Sequence, residues 1–236
     1  LGDVYKRQPW GSIAVDDGVG EIVTTKAHIW RSSPEKVLVA RGTWAEKNPE
    51  LVKALIRALF NAAEWCDQPE NRETLADLLA QRSYLNRPAR IILRGLNRTV
   101  PTGDATTEYV ESFLNFSGNA ATFPWISHAL WLYTQMVRWG DVAPSRQSER
   151  TVRSTYRPDL YRSALSSLNV PIPSASAKVE GALVSRIHVG STSGELTLGP
   201  DGFFDGMCFD PEDTQAYIET QKARDHAFLR NEIGKI

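Results

Sequence analysis

A small anion held in a dry cleft needs N–H donors and one compensating positive charge. Two residues near the start of the chain carry those groups. Trp10, directly after Pro9, offers an indole N–H, and Lys36, just ahead of the apolar run Val37-Leu38-Val39-Ala40, offers an ammonium. Each also has an ordinary explanation. A lysine before a strand is usually solvated, and a tryptophan after a proline usually packs. The stretch from Pro9 to Val39 is nonetheless the place where an aromatic and a cation could meet an anion, so both residues are candidate ligand contacts.

Other chemistry-bearing residues point elsewhere. His28, His128, His188 and His226 show no i, i+4 pairing and no neighbouring cysteine. A metal site needs convergent ligands, so neither a metal nor a cofactor is expected. His128 is a possible ligand contact, but packing at a core edge between Trp131 and Leu132 is the stronger reading. No nucleophile elbow, phosphate loop or dinucleotide fingerprint is present. Gly190-Ser-Thr-Ser-Gly194 has the wrong spacing for these and reads as a loop. Asp16-Asp17 and Glu212-Asp213 look like paired carboxylates, but the first pair stands at a helix stop and the second at a helix start, where acidic residues are favoured. No acid, base and nucleophile set emerges, so no catalytic residue is assigned and an enzyme is not the leading reading.

The totals narrow the class. The 236 residues begin with Leu1, carry a net charge of −1 and include 42% hydrophobic and 23% charged residues. That composition suits a globular core, and no global basic surface calls for nucleic acid or anionic lipid. Cys66 and Cys208 are too few for a disulfide scaffold and are expected to be two buried free thiols. No run approaches the roughly 20 apolar residues of a membrane span. The first eight residues, LGDVYKRQ, fit nothing after them. They are read as a non-native leader, with 9–236 as the folded portion.

The elements that must position these groups follow from periodicity and caps. Pro9 opens a short helix that ends at Asp16-Asp17-Gly18. Glu21 to Trp30 alternates as a strand rich in β-branched residues, and Lys36 to Ala40 suits a buried strand. Thr43-Trp-Ala-Glu46 reads as a capping box. Asn48-Pro49 opens a long helix with Val52, Ile56, Leu59, Phe60 and Ala63 on one face. Further helices are expected over about 70–81, 87–96, 127–139 and 157–168. The fourth of that series carries His128, Trp131, Leu132, Gln135, Met136 and Trp139 at helical spacing and closes at Gly140. Val100 to Thr107 and Gly140 to Arg153 read as polar connections. Val179 to Phe204 reads as a loose hairpin, and Asp210-Pro-Glu-Asp213 caps a last helix to about His226. The strands are too few to complete a sheet, so a partner half of that sheet is expected outside this chain.

Several segments carry a family likeness. PWGSIAVDDGVGEIVTT, IWRSSPEKVLVARGTWAEKNPELVKALIRAL, FPWISHALWLYTQMVRWG, YRPDLYRSALSSLNVPIP and FFDGMCFDPEDTQAYIE run in order from about Pro9 to Glu219. Together they resemble the second half of the nitrate-binding proteins of bacterial ABC importers, with their nitrite- and bicarbonate-binding relatives. The resemblance implies an α/β, helix-rich chain forming the C-terminal part of a two-lobed, type II periplasmic-binding-protein-like fold. It implies nitrate or a similar oxyanion as ligand, membrane permease subunits as partners and a periplasmic location, anchored to the membrane upstream. In the family the pocket draws on residues just before the Pro-Trp pair and on a lysine in the segment matching PEKV. Lys36 stands at that lysine, whereas Arg7-Gln8 replace the small and acidic residues that the family has before Pro-Trp. Cytoplasmic nitrate sensors that control an antiterminator share the fold, and RALFNAAEWCDQPENRETLADLLAQRSYL resembles them as much as the importers. A sensor of this kind, with a regulatory protein as partner, is one alternative. A truncated hydrolase or transferase is the alternative of another class.

Overall fold

The computed structural model describes residues 9–102 and 106–233, with side chains through His226. In chain order the elements are α1 (Trp10–Asp16), α2 (Lys26–Ile29), α3 (Gly42–Lys47), α4 (Pro49–Asp67), α5 (Arg72–Ala80) and α6 (Ala89–Leu96). Strands β1 (Thr99–Pro101) and β2 (Thr107–Tyr109) follow. Then come α7 (Ile126–Trp139), α8 (Arg146–Thr155), α9 (Pro158–Leu165), β3 (Ile187–Val189), β4 (Leu196–Leu198) and α10 (Thr214–Ile233). Among the described residues there are two antiparallel two-stranded sheets, β1 with β2 and β3 with β4. The chain divides into two units, residues 9–33 with 58–122 and residues 34–57 with 123–233.

In the first unit, Leu75 and Ala76 of α5 pack with Ile92 and Leu96 of α6. The i, i+4 spacing of Ile92 and Leu96 places both on one stripe. Asp16 at the end of α1 accepts a two-armed contact from Arg90 of α6 at 2.9–3.0 Å, with Arg94 at 3.5 Å. Asp67, at the end of α4, accepts the backbone N–H groups of Phe116, Ser117 and Gly118 at 2.7–3.1 Å. Burial works to raise its pKa, but these donors outweigh that and hold it below the usual carboxylate range.

In the second unit α7 is the central helix. Gly140, in the left-handed conformation at φ 84°, closes it. Its Leu130 packs with Phe209 and with Tyr217 of α10, while Tyr133 and Val137 pack with Ile218. Val152 of α8 joins both clusters. Arg162 of α9 donates to the carbonyls of Pro173, Ser174 and Ala175 at 2.7–3.0 Å and to Ser176 Oγ at 3.1 Å. One side chain thereby satisfies three consecutive carbonyls of an irregular segment. Beyond it, β3 and β4 pair with Ile187 opposite Leu198, as the expected hairpin over 179–204.

Several expected elements differ. Residues 21–30 form no strand: Lys26–Ile29 make one helical turn, and Val23 is 93% exposed. The run Lys36–Ala40 is neither strand nor buried, with Val37, Leu38 and Val39 between 53% and 79% exposed. A strand is stabilised by its ladder partners and by burial of one face, and among the described residues neither stretch joins a ladder of successive pairs. Thr43 is not an N-cap. Arg41 precedes the first residue of α3, and no side chain caps it. Thr99–Pro101 and Thr107–Tyr109, read in part as loop, pair as β1 and β2, and residues 146–155, read as connection, form α8. The buried residues of α7 are Ser127, Ala129, Leu130, Tyr133, Thr134, Gln135 and Val137; of the expected stripe Gln135 is buried, whereas Leu132, Met136 and Trp139 are exposed. Cys66 and Cys208 are both free, but Cys66 is half-buried and Cys208 exposed, not buried as expected. Burial pushes the Cys66 thiol pKa up.

Candidate functional site

Trp10 sits at the first position of α1, 41% exposed, with the Arg87 guanidinium 4.8 Å from its ring centroid. That is a cation–π contact inside the first unit. Lys36 belongs to the second unit, in a segment without regular structure. Its side chain is 70% exposed, and Nζ donates to Glu35 Oε1 at 3.1 Å. The two candidates therefore fall in different units. Trp10 has its own cation within the first unit, and Lys36 its own acid within the second.

His128 has a different setting. It lies in the first turn of α7, its side chain 13% exposed, with Nε2 3.4 Å from Glu180 Oε1. The same carboxylate oxygen accepts from Ser127 Oγ at 2.6 Å. The Lys178 ammonium donates to Glu180 Oε2 and, at 2.6 Å, to Asp201 Oδ2. Asp201 Oδ1 accepts the backbone N–H of Leu183 at 2.8 Å. Glu180 and Asp201 are 0% and 1% exposed. Burial works to raise the Glu180 pKa, but the hydrogen bond and charge of His128 and the charge of Lys178 outweigh it and hold it below the usual range. The backbone of Glu180 is also fixed, exchanging N–H···O bonds of 2.9 Å in both directions with Phe209. Gly181 follows at φ +83°, where an added Cβ would stand 2.5 Å from the Phe203 ring and 2.7 Å from the Met207 carbonyl. Only glycine fits that approach.

This network of Ser127, His128, Lys178, Glu180 and Asp201 has one sequence clue. Lys178 and Glu180 are two apart, which places both on one side of an extended chain. Asp201, more than twenty residues on, gives no such signal, because only the fold brings it to Lys178. His128 thus stands at a core edge as expected, but its polar neighbour is a buried acid, beyond the expected Trp131 and Leu132. The leader read over residues 1–8, including Arg7-Gln8, lies outside the described residues. Among the described residues no helix is long and apolar enough to cross a membrane.

Residues 4–80 match the family model described as NMT1-like. Over 92% of its length the chain is 32% identical to the nitrate/nitrite binding protein NrtA of Synechocystis, of which it covers 45%. It is 29% identical over 92% of its length to the bicarbonate-binding protein CmpA of Synechococcus, covering 46% of that protein. The crystal structure of the periplasmic nitrate-binding protein NrtA from Synechocystis superposes with a TM-score of 0.78 at 31% identity, over 91% of this chain and 52% of that one. The fold is thus the helix-rich α/β class of the periplasmic binding proteins. More particularly, the chain is similar to the nitrate/nitrite- and bicarbonate-binding proteins, and it spans about half the length of the curated relatives it matches.

Proposed function

We propose that this chain is part of the substrate-binding component of an ABC importer for a small oxyanion, with nitrate or nitrite as the ligand and bicarbonate as the competing candidate. The observation that carries this reading is the likeness to NrtA, which holds in sequence and in fold over nine-tenths of the chain. The likeness to CmpA, nearly as extensive, keeps bicarbonate in contention. The periplasmic setting named for the solved relative supports the importer over the cytoplasmic sensor. The relatives named above are binding proteins, which supports a non-catalytic role in which anion binding favours one closed arrangement of the protein.

Lys36 is the cation proposed to face the oxyanion. Its ammonium is exposed and its visible acid partner, Glu35, is adjacent in sequence, so a ligand that excluded water here would meet an ammonium committed to no buried pair. Trp10, in the first unit, is proposed only as a wall residue and not as a source of charge. His128, engaged with Glu180, has the weaker case as a ligand contact. Permease subunits are the proposed partners, and the periplasm the proposed compartment.

Titration calorimetry of the intact protein with nitrate, nitrite and bicarbonate tests the reading. One of these anions is expected to bind, and Lys36→Ala is expected to weaken it by at least about 1.5 kcal/mol, roughly tenfold. Absence of binding by all three anions would overturn the function. Unchanged affinity in the variant would overturn the Lys36 assignment alone.

A further inference from the structure

The second unit contains a cleft of about 340 Å³ beside the buried Lys178 network. Small-molecule sites run from about 300 to 1,000 Å³ and combine apolar walls with a few fixed polar groups. The walls here include Trp125, Val179, Leu183, Val189 and Leu198, and the charged side chain among the lining residues is Lys178. The Lys178 ammonium lies 5.8 Å from the Trp125 ring centroid, and Trp125 is buried.

The cleft is held in shape from several sides. Arg162 fixes the 173–176 wall through its four hydrogen bonds. The Ser174 N–H donates to the Gly190 carbonyl at 3.0 Å, which ties that wall to the β3 end. Leu183 and Asp201 exchange backbone and side-chain hydrogen bonds at 2.8–3.0 Å, which fixes the opposite wall. A site already in its bound shape loses little to ordering when a ligand enters.

The charges select the ligand. An ammonium has three N–H groups, and Lys178 gives two of them to Glu180 and Asp201. Lys178 is shared by two buried carboxylates, and His128 further meets Glu180, so the ammonium's charge is already compensated. An anionic ligand at the ammonium would bring a third negative charge beside Glu180 and Asp201. A cationic one would meet the ammonium first. An uncharged carbonyl or hydroxyl oxygen meets neither repulsion and can accept the remaining N–H. We propose that this cleft is a binding site separate from the oxyanion site, for an uncharged ring-sized molecule whose ring lies against Trp125 and whose carbonyl or hydroxyl oxygen accepts from Lys178.

Saturation-transfer NMR on the intact protein with benzamide, benzoate and benzylammonium tests this. These probes share a ring and differ in charge. Benzamide is expected to bind, and the two charged probes to bind at least about tenfold more weakly. Lys178→Met is expected to abolish the preference, but it strips a charge from two buried acids and can unfold the unit. Ala182→Phe and Ala175→Phe therefore serve as independent variants. Both positions line the cleft, are exposed, and lie outside the charge network. Each is expected to reduce benzamide binding at least about tenfold by filling the space. No benzamide signal, equal binding of all three probes, or benzamide binding untouched by both cleft-filling variants would overturn the proposal.

Discussion

Lys36 and Lys178 are the same side chain in opposite circumstances within one unit. Lys36 is 70% exposed beside the acid next to it in sequence, ahead of an apolar run that pairs with nothing described. Lys178 is mostly buried and binds two carboxylates that are themselves shut away from water. An exposed pair between neighbouring residues contributes little to stability, because water screens it and side-chain entropy opposes it. A buried charge whose partners are removed is costly, because nothing replaces the solvation it lost. The first lysine is therefore loosely held, and the second gives two of its three N–H groups to buried acids. Lysines that are hard to tell apart in sequence are separated here by their surroundings.

The sharpest way to break that contrast is Lys178→Met. It should lower the unfolding free energy by about 3–5 kcal/mol, since Glu180 and Asp201 would stay buried without the lysine's charge; urea unfolding of the intact protein measures it. A loss below about 1 kcal/mol would mean that water reaches the network and the distinction fails. Asp67→Ala extends the comparison to the first unit, where backbone N–H groups take the place of lysine. Removing their shared acceptor should cost about 2 kcal/mol, read from the same denaturation curves. Lys36→Ala is the counterpart. It should reduce anion affinity as described above and leave stability within about 0.5 kcal/mol of the parent. A large stability loss there would show that Lys36 is structural after all.

The pH response reports on the buried acid that Lys178 binds. Glu180 has its folded pKa below its unfolded one. Its contribution is therefore fully present above the unfolded value of about 4.3 and is lost as pH falls through the folded value. Glu180→Gln should flatten the fall in melting temperature between about pH 5 and pH 3. Thermal melts across that range decide it, and equal slopes in Glu180→Gln and the parent would remove Glu180 as the acid-sensitive group.

The same contrast explains which elements could be read from sequence. Helices with an apolar face on a 3.6 period and a defined stop were legible: α4 opened at Pro49, α7 closed at Gly140, and α10 followed the Asp213 carboxylate, which accepts the Ala216 N–H at 3.1 Å. α8 was missed because its sequence, RQSERTVRST, is almost entirely polar, and Val152 is its contribution to the core clusters. Its cap, Ser145 Oγ accepting the Ser148 N–H at 3.0 Å, was the overlooked signal. Residues 21–30 and 36–40 were misread as strands because β-branched and apolar runs report suitability for a sheet and not the presence of a neighbouring strand. On α7 the expected stripe and the buried face are offset, since Trp131, Leu132, Met136 and Trp139 are large and apolar whichever way they face.

By itself the sequence determined the helix-rich character, the main helix boundaries and the family likeness, because these rest on local periodicity, on caps and on residue order. It also singled out Lys36, Trp10 and His128 as groups able to do chemistry. The tertiary structure decided the environment of each. It stacked Arg87 on Trp10, left Lys36 in solvent and set His128 against a buried glutamate. It also brought Asp201 to Lys178 from twenty-three residues away. Burial and distant pairing depend on which surfaces meet, and no local pattern of residue types encodes that.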